Sequence, residues 1–306
     1  MNSFEAVSRS GARGIWALKV SLAVLMLTAT FQVFVVAISG SVGLLADTLH
    51  NYSDALTAIP LWIAFALNRR PPDRRYTYGY GRAEDLAGIA IVLIMLGSAL
   101  LVLYESAYKM VNPQPLANLD WVGVAALVSL IGNEAVAVFR LRVGREIGSA
   151  ALVADGWHAR ADGLAALGVL LGVIGVRLGF WWADSVAGLG IGVIILFIVG
   201  DAGREIGRRL MDATDPAIIS RIEQTAARVP GVQRLDAVRA RWAGHQLRSE
   251  LHVQVDGDLT LAQAHAIAEA VRHELFHALP VLSDATVHLD PPGSPGVDPH
   301  AVTAHH

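Results

Sequence analysis

The chain of 306 residues contains no cysteine, which excludes disulfides, thiolate metal sites and cysteine nucleophiles. Charge is scarce as well: Asp, Glu, Lys and Arg make up 17% of the residues, against ~25% in soluble domains. The net charge of −3 lacks the basic excess of a nucleic-acid binder, so no nucleic-acid partner is expected. Five Met are too few soft ligands for a Cu(I) carrier. Apolar residues fill the space instead, at 54% of the chain with a mean hydropathy of +0.46. A disordered, collagenous or coiled-coil chain is excluded, and a polytopic membrane protein is expected.

A hydrocarbon core ~30 Å thick takes about 20 apolar residues to cross by helix. Six runs qualify: 15–38, 42–67, 86–108, 119–139, 150–176 and 182–200. The first is too long for a signal peptide and lacks a small-residue cleavage site, so it reads as a retained span. Cations cluster before the first run (Arg9, Arg13) and after the second (Arg69, Arg70, Arg74, Arg75, Arg82). They cluster again after the fourth (Arg140, Arg142, Arg145) and the sixth (Arg204, Arg208, Arg209), whereas the opposite connections hold Lys109 and Arg177. The asymmetry predicts that both termini are cytoplasmic, and the cell (inner or plasma) membrane is the expected location.

Beyond about Thr214 the pattern changes to amphipathic helices and short strands. Asp215-Pro216 opens a helix that ends at the Pro230-Gly231 turn. Strands are expected over 232–242, 247–255 and 285–289, with a helix from Thr260 to about Leu279. The expected fold is therefore an all-α six-helix transmembrane bundle (1–209) plus a cytoplasmic α+β domain (210–291) of αββαβ, ferredoxin-like order. A Pro/Gly-rich disordered tail (292–306) follows.

Two runs repeat one pattern. Ala46-Asp47-Thr48-Leu49-His50-Asn51-Tyr52-Ser53-Asp54-Ala55-Leu56 and Ala154-Asp155-Gly156-Trp157-His158-Ala159-Arg160-Ala161-Asp162-Gly163-Leu164 both read A-D-x-x-H-x-x-x-D-x-L. His and Asp four apart share a helix face. Imidazole and carboxylate suit Zn²⁺, which takes four ligands in a tetrahedron. His50 and His158 each lie ~12 Å in from opposite ends of antiparallel helices, near the bilayer midplane. Ionisable groups at that depth cost at least ~2.5–3.5 kcal/mol and mark a transport path or functional site. Asp47 and Asp155, one turn earlier, either orient the imidazoles or pack helices, and Asn51 adjoins His50. Glu134, with Asn133, and Glu105 read as structural polar contacts.

Six spans, a doubled H-x-x-x-D in the second and fifth, and an αββαβ domain resemble the cation diffusion facilitator family from about Ile15 to Asp290. The resemblance implies a homodimeric, proton-coupled exporter of Zn²⁺ or a related divalent ion, embedded in lipid. It makes His50, Asp54, His158 and Asp162 the tetrahedral transport site. Some relatives bind metal in the loop after the second span through an Asp and two His. Here Tyr76 and Tyr80 take the imidazole positions beside Asp73, so that site is expected to be missing. The resemblance further implies a regulatory metal site at His252, His265, His288 and Asp290, with Asp236 near a position where some relatives have His. Arg82 and Asp212 resemble the family's charge interlock. The other C-terminal His, including His273, His277, His300, His305 and His306, are taken to follow no ligand spacing.

The leading function is efflux of a divalent transition metal, most favourably Zn²⁺, against protons, with Zn²⁺ as substrate and a possible regulatory ligand. The alternatives are a membrane metal sensor or scaffold, or a transporter chiefly of Co²⁺, Ni²⁺, Cd²⁺, Fe²⁺ or Mn²⁺. No enzyme is expected: the metalloprotease option is read as lacking its H-E-x-x-H motif.

Overall fold

The computed structural model describes residues 3–39, 58–113 and 118–292. Its described residues divide into two compact units, one within Ser10–Gly207 and the other mainly over 208–292.

The first unit is helical. Its elements are α1 (Ser3–Ser39), α2 (Ala58–Asn68), α3 (Arg82–Val111), α4 (Leu119–Ile147), α5 (Ala150–Arg177) and α6 (Ala183–Leu210). Among the described residues, five helices are long and apolar enough to cross a membrane; α2 is the described part of the second apolar run. Leu61, Phe65, Ile91, Met95 and Leu152 are sealed in the bundle core, while Leu27, Leu93 and Phe197 face outward. Large outward apolar side chains are what a lipid environment requires. The chain is an integral membrane protein.

The helices outrun the apolar stretches that announce them. α4 continues past Phe139 to Ile147 because Leu141, Val143, Gly144 and Ile147 still supply a buried face. It stops at Gly148, whose φ of +75° suits a left-handed C-cap. Arg140, Arg142 and Arg145, expected in a loop, therefore lie within the helix. α4 and α5 then pack almost backbone to backbone. A Cβ on Gly144 would sit 2.9 Å from the Val153 nitrogen, and one on Gly156 would sit 3.0 Å from the Leu141 nitrogen. Small residues at such crossings are how membrane helices gain close packing.

The second unit holds α7 (Pro216–Ala227), β1 (Arg234–Ala243), β2 (Gln246–Gln254), α8 (Leu261–Ala278) and β3 (Leu282–Asp290). The αββαβ order matches the sequence expectation, although β3 begins three residues early. Asp215 caps α7 by accepting the Ala217 N–H, with Pro216 at the first turn. Thr260 and Gln263 form a capping box on α8. The sheet runs β1-β2-β3, with β1 antiparallel and β3 parallel to β2. A parallel neighbour needs a crossover, which α8 provides. Its apolar side (Ala268, Val271, Leu275) packs with Ile222, Leu247, Leu251 and Val253.

Candidate functional site

In α5, Ser149 is the N-cap: its hydroxyl accepts the Leu152 N–H at 3.0 Å and donates to the buried Glu84 carboxylate at 2.5 Å. From this anchored end the helix carries its polar residues inward. Asp155 comes first and is fully buried, with its Oδ2 3.0 Å from Arg140 Nη1 of α4. One turn on, His158 is 2% exposed, and its Nδ1 lies 3.6 Å from Asp162 Oδ1. The i,i+4 spacing thus brings one imidazole and one carboxylate together inside the bundle. Arg160, between them in sequence, turns away to the Glu134 carboxylate of α4 and stacks over Trp157 at 5.2 Å. Asp47, His50, Asn51 and Asp54 lie outside the described residues.

Asp73 is committed within its loop. It accepts the Arg75 and Tyr76 N–H groups and the Tyr80 hydroxyl, each at 2.7 Å. The Tyr80 hydrogen bond, with those two amides, holds the Asp73 carboxyl below the usual carboxylate range. Arg82 reaches Asp85 of its own helix at 3.3 Å. Asp212 belongs to the other unit, where its φ of +58° turns the chain.

The second unit assembles a different cluster. Parallel register sets His252 of β2 opposite His288 of β3, with Gln254 opposite Asp290. Residues two apart share a sheet face, so Asp290 stands beside both imidazoles. Its Oδ2 is 3.1 Å from His252 Nδ1 and its Oδ1 is 3.0 Å from His288 Nδ1. The ligand atoms of the three residues lie within 4.8 Å of one another, which a single metal ion could span. Burial pushes the Asp290 carboxyl up, but its hydrogen bonds with His288 and His252 outweigh this and hold it below its ordinary value. The structure does not bring His265 or Asp236 into this group. His265 lies exposed on α8. Asp236 sits at the bulge of β1 and pairs with Arg234 at 3.0 Å.

One signal in the sequence was passed over. His273-Glu274-Leu275-Phe276-His277 spells H-E-x-x-H, so the motif is present after all, and His273 and His277 do have ligand spacing. The structure puts both on α8 with ring centroids 4.5 Å apart. Counting four-residue steps between His along α8 would have found it.

Residues 18–211 match the family description "Cation efflux transmembrane domain", and residues 214–292 match "Cation efflux protein, cytoplasmic domain". A "probable cation efflux system protein" of Mycobacterium tuberculosis is 50% identical over 95% of this chain and 87% of its own length. The magnetosome protein MamB of Paramagnetospirillum magneticum is 29% identical over 83% of this chain and 86% of its own. The manganese efflux system protein MneS of Bacillus subtilis is 27% identical over 89% and 93%. Together with the helical unit and the three-stranded α+β unit, these matches show that the chain belongs to the cation efflux family, the cation diffusion facilitators, a family of metal-cation transporters rather than enzymes.

Proposed function

We propose that this protein exports a divalent transition-metal ion, chiefly Zn²⁺, from the cytoplasm in exchange for protons, through His50, Asp54, His158 and Asp162. The observation that carries the reading is the pairing of buried His158 with half-buried Asp162 at 3.6 Å, together with its sequence echo at His50 and Asp54. Two imidazoles and two carboxylates favour Zn²⁺ over Mn²⁺, which suits an all-oxygen site. A relative's name refers to manganese, so the metal is the point the experiment must decide. Ligating His must be neutral and Asp ionised, so protons and metal compete for one site. An inward proton gradient then loads protons from outside and releases metal there, as rocking helices expose the site to each side in turn.

On this reading the protein is a homodimer in the cell membrane with both termini in the cytoplasm. His252, His288 and Asp290 hold a regulatory ion that tunes the C-terminal domain without carrying the substrate. The His252→Ala/His288→Ala variant therefore keeps measurable flux with an altered metal dependence.

The test is uptake of Zn²⁺, Mn²⁺, Co²⁺ and Cd²⁺ into reconstituted vesicles under an imposed pH gradient. Zn²⁺ flux that follows the gradient and falls at least about tenfold in His158→Ala and Asp162→Ala supports the proposal, since a three-ligand site binds the ion more weakly. Near-wild-type flux in both variants overturns the site, and larger Mn²⁺ than Zn²⁺ flux overturns the metal.

A further inference from the structure

The outward side of α8 carries ligand-type residues at successive four-residue steps: His265, Glu269, His273 and His277, all exposed. The core fixes this orientation, because Ala268, Val271 and Leu275 occupy the opposite, buried side. Residues four apart on a helix are surface neighbours. Of the three steps, the last already has its side chains in contact: the His273 and His277 rings meet edge-on, centroids 4.5 Å apart and planes at 71°. Glu269 is engaged otherwise, accepting from Arg272 Nη1 at 2.9 Å. The Arg272 guanidinium is thereby held between Glu269 and the Phe276 ring. His277 also lies in the last helical turn, where the negative end of the helix favours a bound cation.

We propose that His273 and His277 form a further transition-metal site, separate from the cluster on β2 and β3. The ion is a divalent metal with imidazole affinity, such as Ni²⁺, Cu²⁺ or Zn²⁺, held by one nitrogen from each ring with water in the remaining positions. Spacing and sequence match the helical zinc motif of metalloproteases, in which two His at i and i+4 hold the metal. Hydrolysis is not part of the proposal. A catalytic zinc takes three protein ligands. Among the described residues, the group of three or more that could hold an ion is His252, His288 and Asp290, so the α8 pair has no third partner of that kind. With two protein ligands and open positions, the site exchanges its ion with solvent and fills only when metal is abundant.

The test uses the full-length protein in detergent, without an affinity tag, in a His252→Ala/His288→Ala background that removes the strand cluster. Equilibrium dialysis against Ni²⁺ counts bound ions per chain. His273→Ala, His277→Ala and the double variant should each lose the same ion, about one per chain, while His265→Ala keeps it. With Cu²⁺ as probe, the electron paramagnetic resonance signal of the surface ion should show two imidazole nitrogens, and that two-nitrogen signal should vanish in either single variant. All three substitutions are on exposed residues, so vesicle flux and gel-filtration profile should match the parent and serve as the folding control. Unchanged Ni²⁺ stoichiometry in every variant overturns the proposal. Additive loss, with the double variant losing twice what each single loses, also overturns it, because two independent surface His would behave that way.

Discussion

Arg140 of α4 and Asp155 of α5 form an ion pair at 3.0 Å with both side chains almost wholly removed from solvent. The pair lies one helical turn from His158, at a crossing where Gly144 and Gly156 let the two backbones nearly touch. Through this pair Asp155 ties α5 to α4. Together with the close α4–α5 packing, that tie helps to set the rotation of α5 and so the direction in which His158 and Asp162 project.

Breaking this pair should cost far more than replacing it. Arg140→Met or Asp155→Leu alone leaves one buried charge without its partner, a loss of about 3–5 kcal/mol. The Arg140→Met/Asp155→Leu double variant should recover most of it. Thermal unfolding in detergent reads the difference, and single variants that melt with the wild type would show that the pair contributes nothing.

The close helix crossing makes a second prediction. Gly156→Ala places a methyl against the Leu141 backbone and should destabilise by about 1–3 kcal/mol. Gly97→Ala, where nothing lies within 4 Å, serves as the control and should be neutral or slightly stabilising. Equal melting temperatures for the two variants would mean that α4 and α5 can separate at no cost.

Topology can be tested directly, because the chain has no Cys. Thr77→Cys in the Arg-rich loop and Thr303→Cys near the C-terminus should react with a membrane-impermeant maleimide only after permeabilisation. Asn112→Cys, after α3, should react in intact cells. Labelling of Thr77→Cys from outside would reverse the orientation.

Asp290 sits between His252 and His288, so both a bound metal ion and pH should act on the stability of the C-terminal unit through it. Saturating Zn²⁺ at ~100 times its dissociation constant should stabilise the wild type by ~2.7 kcal/mol. Asp290→Asn should lose most of that gain, since the carboxylate between the two imidazoles is gone. Without metal, the folded carboxyl titrates below its ordinary value of 3.8. Its contribution is therefore present above that pH and is lost as pH falls through the lower folded value. Acid unfolding of the metal-free proteins should show a wild-type advantage over Asp290→Asn that disappears in strong acid. A constant difference across the range would remove Asp290 from this role.

Much of this protein was legible in the sequence by itself. Hydropathy located the helical unit and the composition change near Thr214, because burial in lipid or in a core is decided over windows of a few turns. The αββαβ order, the Thr260 cap and the Asp215-Pro216 start are likewise local, depending on residues within one turn. So is the meeting of His158 with Asp162, since i,i+4 geometry follows from the helix alone. His273 and His277 belong here too; their signal was local and was overlooked.

Tertiary structure decided the rest. Arg140 reads as a loop cation beside an apolar run, and only the packing of α4 on α5 makes it the buried partner of Asp155. His252 and Asp290 are 38 residues apart, and no periodicity joins them. They meet because α8 carries the chain back parallel to β2, in a register set by Leu251, Val253, Val271 and Leu275 packing beneath the sheet. The same register leaves His265 on the outward side of α8, and the bulge in β1 leaves Asp236 to Arg234. A helix encodes its neighbours in its own spacing. Pairing between strands or between helices depends on how separate apolar faces fit together, a property of side-chain volumes across the whole unit.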